Sequence, residues 1–275
     1  MKESRLYSFI NNKEGFTLHF FEGTKLISDL SDLHDIGPNA LSYYRKTILT
    51  AQQMITFLKP GESLGVYIDS EDPYFRFKIE TNYTGSMRTL LLPEEFSNFP
   101  EKLTGKARIS KIFPNSTPYT SIINMDNDDA SEVVNNILKE SYQTKSKVIT
   151  SDSLDQSIMF TKLPRLEIKK IIEDLDDIPL NEYILQKTKF VTSIFKNHIQ
   201  DIEKIIETFE AEGYSYIGSK EVNFNCPCSK ERMITNVMTM SHNDLDHVFE
   251  ETDTLEIRCD YCNTLYNISR NDINH

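Results

Sequence analysis

The chain of 275 residues lacks tryptophan, and no cysteine precedes position 226. It has only 9 glycines, and none of them belongs to a glycine-rich loop followed by Lys and then Ser or Thr, so no ATP-binding phosphate loop is predicted. No serine, histidine and aspartate stand out in the order of a catalytic triad. The sequence therefore predicts a protein that is not an enzyme.

Long apolar runs and an excess of basic charge are missing as well. No stretch approaches the roughly 20 apolar residues of a transmembrane helix, and residues 1–6 do not open an apolar signal segment. The formal net charge is −12, and an acidic surface disfavours nucleic acid and anionic membranes as partners. Because unprotected thiols belong in a reducing compartment, we expect a cytoplasmic protein.

Strand-like and helical patterns alternate over the first 165 residues. Leu64, Val66 and Ile68 alternate with smaller or polar residues, and the pattern recurs in several short runs separated by turns. Many strands with short connections favour a mostly antiparallel sheet with helices on it, an α+β fold. The predicted strands are 16–21, 64–68, 75–79, 87–92, 107–112, 119–124, 148–151 and 158–163, and the predicted helices are 25–33, 40–58 and 129–142.

A different pattern begins after Pro164. Residues 168–175 are predicted to be helical, and between Pro179 and Gly213 apolar side chains recur every three or four residues. The segment is rich in β-branched residues, whose modest helix propensity makes its order dependent on packing. One interpretation is a helical hairpin packed permanently on the sheet domain, and the other is a metastable linker.

The four cysteines form two close pairs, Cys226-Pro-Cys228 and Cys259-Asp-Tyr-Cys262, separated by a stretch predicted to be helical. Each pair can supply two thiolates from one turn, and four Cys sulfurs bind zinc in a closed, structural shell. Free thiols or two disulfides are the alternatives, but one tight cluster in a long chain is more typical of a metal site. The C-x-C pair is also close enough to oxidise, which indicates a zinc site that acts as a redox switch.

The module around the cysteines has few apolar residues. Ser229 and Ser241 are placed to cap two short helices, and two short strands are predicted further on. His242 and His247 lie between the cysteine pairs, but a complete four-Cys shell does not need them. We therefore predict a sheet domain over 1–165, a helical linker over 166–222 and a zinc-binding domain over 223–275 that depends on its metal for stability.

These residues resemble the signature of the heat-shock protein 33 family, the redox-regulated holdase chaperones. The resemblance is carried by Phe224-Asn-Cys226-Pro-Cys228-Ser-Lys-Glu-Arg232 and by Cys259-Asp-Tyr-Cys262 followed by Tyr266. It is weaker in the first domain, where Gly85-Ser-Met-Arg88 matches the family pattern but Ser121 replaces a glycine. The resemblance therefore covers the zinc module closely and the sheet domain only in outline.

The resemblance implies an ATP-independent chaperone that oxidation activates. In the reduced state Cys226, Cys228, Cys259 and Cys262 would hold one Zn²⁺ per chain while the linker stays docked on the sheet domain. Oxidation would release zinc, form the disulfides Cys226–Cys228 and Cys259–Cys262, and unfold the linker. Unfolded client proteins would then bind to the exposed apolar surface, and a homodimer of the oxidised chain is one outcome that the resemblance allows.

Two other functions remain open. A constitutive binding module with a purely structural zinc ion would bind its partners in either redox state. A thiol–disulfide oxidoreductase would need C-x-x-C at a helix N-terminus beside a strand, whereas the residues after Cys262 predict a turn and a strand.

Overall fold

A computed structural model describes residues 2–34, 36–71, 74–92, 102–164, 178–250 and 252–273. The chain divides into two compact units, Met1–Phe224 (unit 1) and Asn225–His275 (unit 2). The helix predicted at 168–175 lies outside the described residues. In the part of the chain that is described, no helix is long and apolar enough to cross a membrane.

The described part of unit 1 contains strands and helices in the alternation that the sequence patterns predict. The strands are β1 (Arg5–Asn11), β2 (Phe16–Glu22), β3 (Ser63–Glu71), β4 (Tyr74–Asn82), β5 (Ser86–Leu92), β6 (Leu103–Ile112), β7 (Tyr119–Asp128), β8 (Ser146–Thr150), β9 (Gln156–Lys162), β10 (Ser215–Glu221) and β11 (Asn223–Phe224). The helices are α1 (Thr24–Ser31), α2 (Pro38–Gln52), α3 (Ala130–Glu140), α4 (Leu180–Asn197) and α5 (Ile202–Ala211), and a 3-10 turn, Gln53–Phe57, follows α2.

These strands form two sheets. The first sheet has the order β10-β1-β2-β9-β8, and the second has the order β11-β5-β4-β3-β6-β7. Neighbouring strands are antiparallel except for β11, which lies parallel to β5. The predicted α+β fold with mostly antiparallel sheets is confirmed.

Helix α2 lies between the two sheets and contacts both. The Tyr44 hydroxyl is hydrogen-bonded to the Thr89 hydroxyl of the second sheet at 2.8 Å, and the Ser157 hydroxyl of the first sheet donates to the Leu49 carbonyl of α2 at 2.8 Å. One buried apolar cluster accordingly contains Phe21 of the first sheet together with residues of α2 and the second sheet. This cluster is the main core of unit 1.

The opposite face of the first sheet is covered by α4 and α5. Because successive side chains of a strand point to opposite faces, Leu18 and Phe20 face these helices while Phe21 faces the main core. We call this aromatic surface the docking face. Its buried residues are Tyr7, Phe9, Phe16, Leu18, Phe20, Ile158 and Phe160.

The helical pattern predicted to run unbroken from Pro179 to Gly213 is interrupted. His198 adopts the left-handed conformation with φ of 46°, which ends α4. Asp201 then begins α5, because its carboxylate accepts hydrogen bonds from two backbone N–H groups of the first turn. The prediction of one continuous pattern was therefore wrong at this turn, where the apolar spacing carries no sign of the break.

Strands β1 and β10 were not predicted. They pair with each other in antiparallel register, from Arg5 opposite Glu221 to Ile10 opposite Ser215. The helical pattern was predicted to end at Gly213, and α5 ends at Ala211; the remainder of the predicted linker forms β10 (Ser215–Glu221), which was not predicted. Strand β10 is an edge strand with few apolar side chains, and pairing with β1 is what makes it a strand.

Unit 2 contains the short helices and the hairpin that the sequence predicts, followed by a last helical turn that was missed. The Ser229 and Ser241 hydroxyls accept hydrogen bonds from the N–H groups of Arg232 and Asp244, so both predicted caps are confirmed. The elements are α6 (Lys230–Val237), α7 (His242–Val248), β12 (Thr254–Arg258), β13 (Leu265–Ser269) and α8 (Arg270–Ile273), with β12 antiparallel to β13.

Candidate metal centre

The four cysteines meet in unit 2. All four are free thiols, and their Sγ atoms lie within 4.8 Å of one another. The Sγ atoms of Cys226 and Cys259 are 3.8 Å apart, and those of Cys228 and Cys262 are 3.3 Å apart. In a tetrahedral shell with metal–sulfur bonds of about 2.3 Å, the sulfur atoms are about 3.8 Å apart. The spacing therefore fits one metal ion held by all four sulfurs.

The second pair lies in the turn between β12 and β13. Cys259 N–H donates to the Thr264 carbonyl at 2.9 Å, and Asn263 N–H donates back to the Cys259 carbonyl at 2.8 Å. Asn263 has φ of 56°, a left-handed conformation that asparagine tolerates better than most residues. The backbone N–H groups of Tyr261 and Cys262 point at the Cys259 sulfur and stabilise its anionic form. The turn is thus built to present two sulfurs on one side.

The first pair precedes helix α6. The Arg232 guanidinium donates to the Pro227 carbonyl at 2.8 Å and so ties the C-x-C turn to the helix. Lys230, also in the first turn of α6, forms an ion pair of 2.9 Å with Asp272 of α8. Both cations thus connect α6 to neighbouring segments of unit 2.

Two hydroxyl groups lie beside the sulfurs. The Tyr266 hydroxyl is 3.0 Å from the Cys228 sulfur, and the Thr264 hydroxyl is 3.2 Å from the Cys262 sulfur. Tyr266 was predicted to pack against the cysteine turn, whereas the contact of Thr264 was not predicted. The alternation Thr-Leu-Tyr, which puts the first and third side chains on one side of an extended segment, was the signal that could have found them.

The thiols differ in acidity. Burial raises the pKa of the Cys259 thiol to about 12 and also raises the pKa of Cys228. Burial disfavours the Cys262 thiolate too, but hydrogen bonds from Thr264 outweigh it and lower that pKa to about 7. The hydrogen bond to Cys228 raises the pKa of Tyr266 to about 12. A metal ion that binds here must therefore displace protons from at least Cys228 and Cys259 at neutral pH.

The histidines between the pairs have no visible role in the centre. His247 is exposed, and its ring lies 3.3 Å from the Glu250 carboxylate. Among the described side chains, the group within metal-binding distance consists of the four cysteines and includes no histidine. The side chain of His242 lies outside the described part.

In unit 1, the helices α4 and α5 bury the aromatic rings of the docking face. Phe209 of α5 stacks on Phe9 with ring centroids 4.6 Å apart, and Tyr183 of α4 stacks on Phe16 at 3.7 Å. These four rings are at most 1% exposed. If α4 and α5 moved away, the Phe9 and Phe16 rings would become a continuous exposed apolar surface together with their neighbours on the first sheet.

A polar cluster joins the same helices to the turn between β1 and β2. The Tyr183 hydroxyl donates to the Glu14 carboxylate at 2.9 Å and lies 2.6 Å from the Tyr214 hydroxyl. The ammonium group of Lys187, which is 9% exposed, lies 3.2 Å from the Glu212 carboxylate and 3.5 Å from that of Glu14. The docking of α4 therefore combines aromatic stacking with nearly buried hydrogen bonds and ion pairs.

Comparison with known proteins places these features in a family. Residues 4–269 match the family model described as Hsp33 protein. A 33 kDa chaperonin of Aquifex aeolicus (strain VF5) is 20% identical over 280 residues, which cover 96% of this chain and 86% of that protein. A 33 kDa chaperonin of Streptococcus pneumoniae (strain JJA) is 27% identical over 167 residues, or 57% of this chain and 54% of that protein.

The fold also resembles a solved structure. The crystal structure of a 33 kDa chaperonin from Thermotoga maritima, a heat shock protein 33 homologue, superposes with a TM-score of 0.73. The comparison covers 99% of this chain and 97% of that one at 15% sequence identity. At that identity, the likeness establishes the fold.

Proposed function

The chain belongs to the Hsp33 family, and we propose that it is an ATP-independent chaperone that oxidation activates to bind unfolded client proteins. One observation carries the proposal: four free thiols lie within 4.8 Å of one another in a small unit. Along the chain that unit comes after the helices that cover the docking face, with β10 and β11 between α5 and Cys226. As a binding protein for unfolded chains, it would have no catalytic residues.

We assign one Zn²⁺ per chain to the cysteine cluster. Soft thiolates in a tetrahedral arrangement favour zinc over harder divalent ions. Cys226, Cys228, Cys259 and Cys262 would each supply one thiolate, and the reducing cytoplasm would keep them available. When bound, zinc neutralises part of the thiolate charge and can contribute roughly 10–16 kcal/mol to the folding of such a small unit.

Oxidation would remove the thiolates that hold the metal. One thiolate attacks a peroxide oxygen to give a sulfenic acid, and a second thiolate attacks that sulfur to form a disulfide. As each disulfide forms, its two thiolates give two electrons to one peroxide molecule, whose O–O bond breaks and which takes up two protons to leave as two water molecules. Family resemblance assigns the pairs Cys226–Cys228 and Cys259–Cys262, while in the reduced structure the Cys226 sulfur lies 3.8 Å from that of Cys259 and the Cys228 sulfur 3.3 Å from that of Cys262. Mass spectrometry of the oxidised chain therefore has to test the pairing.

If unit 2 lost its fold, the residues that follow β11 would no longer be held in a folded structure. We take residues 166–222 as a metastable linker, 1–165 as the domain that carries the docking face, and 223–275 as the redox switch. Helix α5 has 10 residues, a length that is marginal in isolation, and the β-branched residues of the 18-residue helix α4 give it modest helix propensity, so the order of both helices depends on docking. Their release would expose the docking face, to which non-native proteins would bind through its aromatic side chains.

A constitutive binding module is the alternative, and one observation favours it. The linker segment supplies β10 to the first sheet and Tyr183 and Lys187 to a nearly buried polar cluster. Such elements are typical of permanently folded structure. In this case zinc would only stabilise unit 2, and binding would not depend on the redox state.

The test is light scattering of a chemically unfolded client that aggregates on dilution. The chain is added either zinc-loaded and reduced or treated with peroxide, and sedimentation of the same samples detects a homodimer. Suppression of aggregation only after oxidation is the expected result. Equal suppression in both states would favour the constitutive module, and no suppression in either would rule out the chaperone function.

A further inference from the structure

The hydroxyl groups of Tyr266 and Thr264 take no part in the switch described above, yet each lies beside a different cysteine pair. Tyr266 contacts Cys228 of the first pair at 3.0 Å, and Thr264 contacts Cys262 of the second at 3.2 Å. Both belong to the short segment that enters β13. The intervening Leu265 is 56% exposed, which shows that this strand turns its other face to solvent. One strand thus brings two hydroxyls to two sulfurs that are 3.3 Å apart.

The direction of these hydrogen bonds follows from the state of the sulfur. A thiol and a hydroxyl can each donate, but a thiolate can only accept. Once Cys228 and Cys262 are deprotonated, Tyr266 and Thr264 must therefore be the donors. A hydroxyl that donates to a thiolate withdraws electron density from the sulfur. This makes the sulfur a weaker nucleophile towards an oxidant and offsets the negative charge that four thiolates concentrate around one divalent ion.

We propose that Tyr266 and Thr264 are positioning residues that set how tightly the four-cysteine site holds its metal and how readily it is oxidised. The inference rests on the metal site of the proposed function. It adds that the oxidation threshold of this chain depends on two residues that are neither ligands nor redox-active. Removal of either hydroxyl should make the site easier to open.

The variants Tyr266→Phe and Thr264→Val remove the hydroxyls while keeping the shapes of the side chains. Thr235→Val is the matched control, since Thr235 on α6 donates only to the Glu231 carbonyl. Zinc affinity is measured by competition with a chelator of known affinity. Removal of an outer-shell hydrogen bond typically weakens metal binding by about 10–100-fold, and we expect a loss in this range for Tyr266→Phe and a smaller loss for Thr264→Val.

The second measurement is the rate of zinc release after peroxide is added, followed with a chromogenic chelator. Both variants should release zinc faster than the unmodified chain, and Thr235→Val should match it. Unchanged affinity and release rate in both variants would overturn the inference. If Tyr266→Phe fails to bind zinc at all, Thr264→Val decides by the same two measurements. If the unmodified chain binds no zinc, the proposed metal site itself is refuted. Equal zinc affinities in all the proteins would instead refute only the role of the two hydroxyls.

Discussion

Unit 1 buries two large apolar clusters, whereas the buried apolar side chains in the described part of unit 2 are Val237, Phe249 and Ile268, together with the metal-site residue Cys259. Ordering each residue costs roughly 1–2 kcal/mol of backbone entropy, which a core of this size does not offset. The two units therefore depend on different interactions. We therefore expect unit 1 to tolerate the loss of one contact and unit 2 to depend on its four sulfurs acting together.

A second contrast lies inside unit 1. Helix α2 is enclosed between two sheets, but α4 and α5 cover only one face of the first sheet. Leu185 of α4 is 73% exposed, and Ile202 at the start of α5 is 41% exposed. These helices are thus the part of unit 1 whose removal leaves the main core intact, as release of the linker requires.

The largest expected effect is the loss of the fold of unit 2 in Cys259→Ser. Without its fourth thiolate the site should lose zinc and with it roughly 10–16 kcal/mol of folding free energy. Hydrogen exchange should show lost protection in α6, α7 and β12–β13, while the two sheets and α1–α3 stay protected. His247→Ala is the control and should keep its zinc. Stoichiometric zinc in Cys259→Ser would refute the assignment of this ligand.

The variant Phe209→Ala should weaken the docking interface while leaving the main core intact. The ring is 1% exposed and stacks on Phe9, so its truncation should cost about 3–5 kcal/mol of docking free energy. We expect faster hydrogen exchange in α4 and α5 and suppression of client aggregation without oxidation. Leu185→Ala, at an exposed position on α4, should change stability by no more than about 0.5 kcal/mol. Unchanged exchange in Phe209→Ala would show that this ring does not hold the linker.

Tyr183→Phe tests the polar cluster by itself. The variant keeps the stacked ring but removes the hydroxyl that bonds Glu14 and Tyr214, leaving the buried Tyr214 hydroxyl and the half-buried Glu14 carboxylate without this partner. The expected cost is about 1–3 kcal/mol, measured as a lower midpoint of urea unfolding of reduced, zinc-loaded protein. Tyr74→Phe, at a 58% exposed position, provides the matched control. Equal midpoints for the two variants would show that aromatic stacking alone holds the helix.

The smallest expected effect is that of a helix cap in unit 2. Ser229→Ala removes the hydroxyl that caps α6 and should cost about 1 kcal/mol. Because the metal holds the adjacent Cys228, we expect the effect to appear as slightly weaker zinc binding rather than as unfolding. Ser229→Asp, which can cap the helix as well, should restore it. A loss as large as that of Cys259→Ser would mean that local helix stability limits the whole unit.

Whether a secondary-structure element was predicted depends largely on how far apart in the sequence the element and its partner lie. The strands of the hairpins β3–β4 and β12–β13 and the caps at Ser229 and Ser241 depend on neighbouring residues, and they were predicted correctly, although β1 of the β1–β2 hairpin was missed. Strand β1 and strand β10 pair across almost the whole of unit 1, and neither was predicted. The break at His198 also escaped prediction, because apolar residues continue at helical spacing on both sides of it.

The order of the amino acids predicts the four cysteines as the ligands of the candidate metal centre, since each cysteine pair lies within four residues and no other cysteine competes. The folded chain was needed to show that all four sulfurs meet and that the hydroxyls of Thr264 and Tyr266 lie against two of them. It was also needed to show that α4 and α5 cover an aromatic face of the first sheet. Local chemistry is determined by adjacent residues. Packing between distant segments depends instead on which faces remain to be buried after each element has formed.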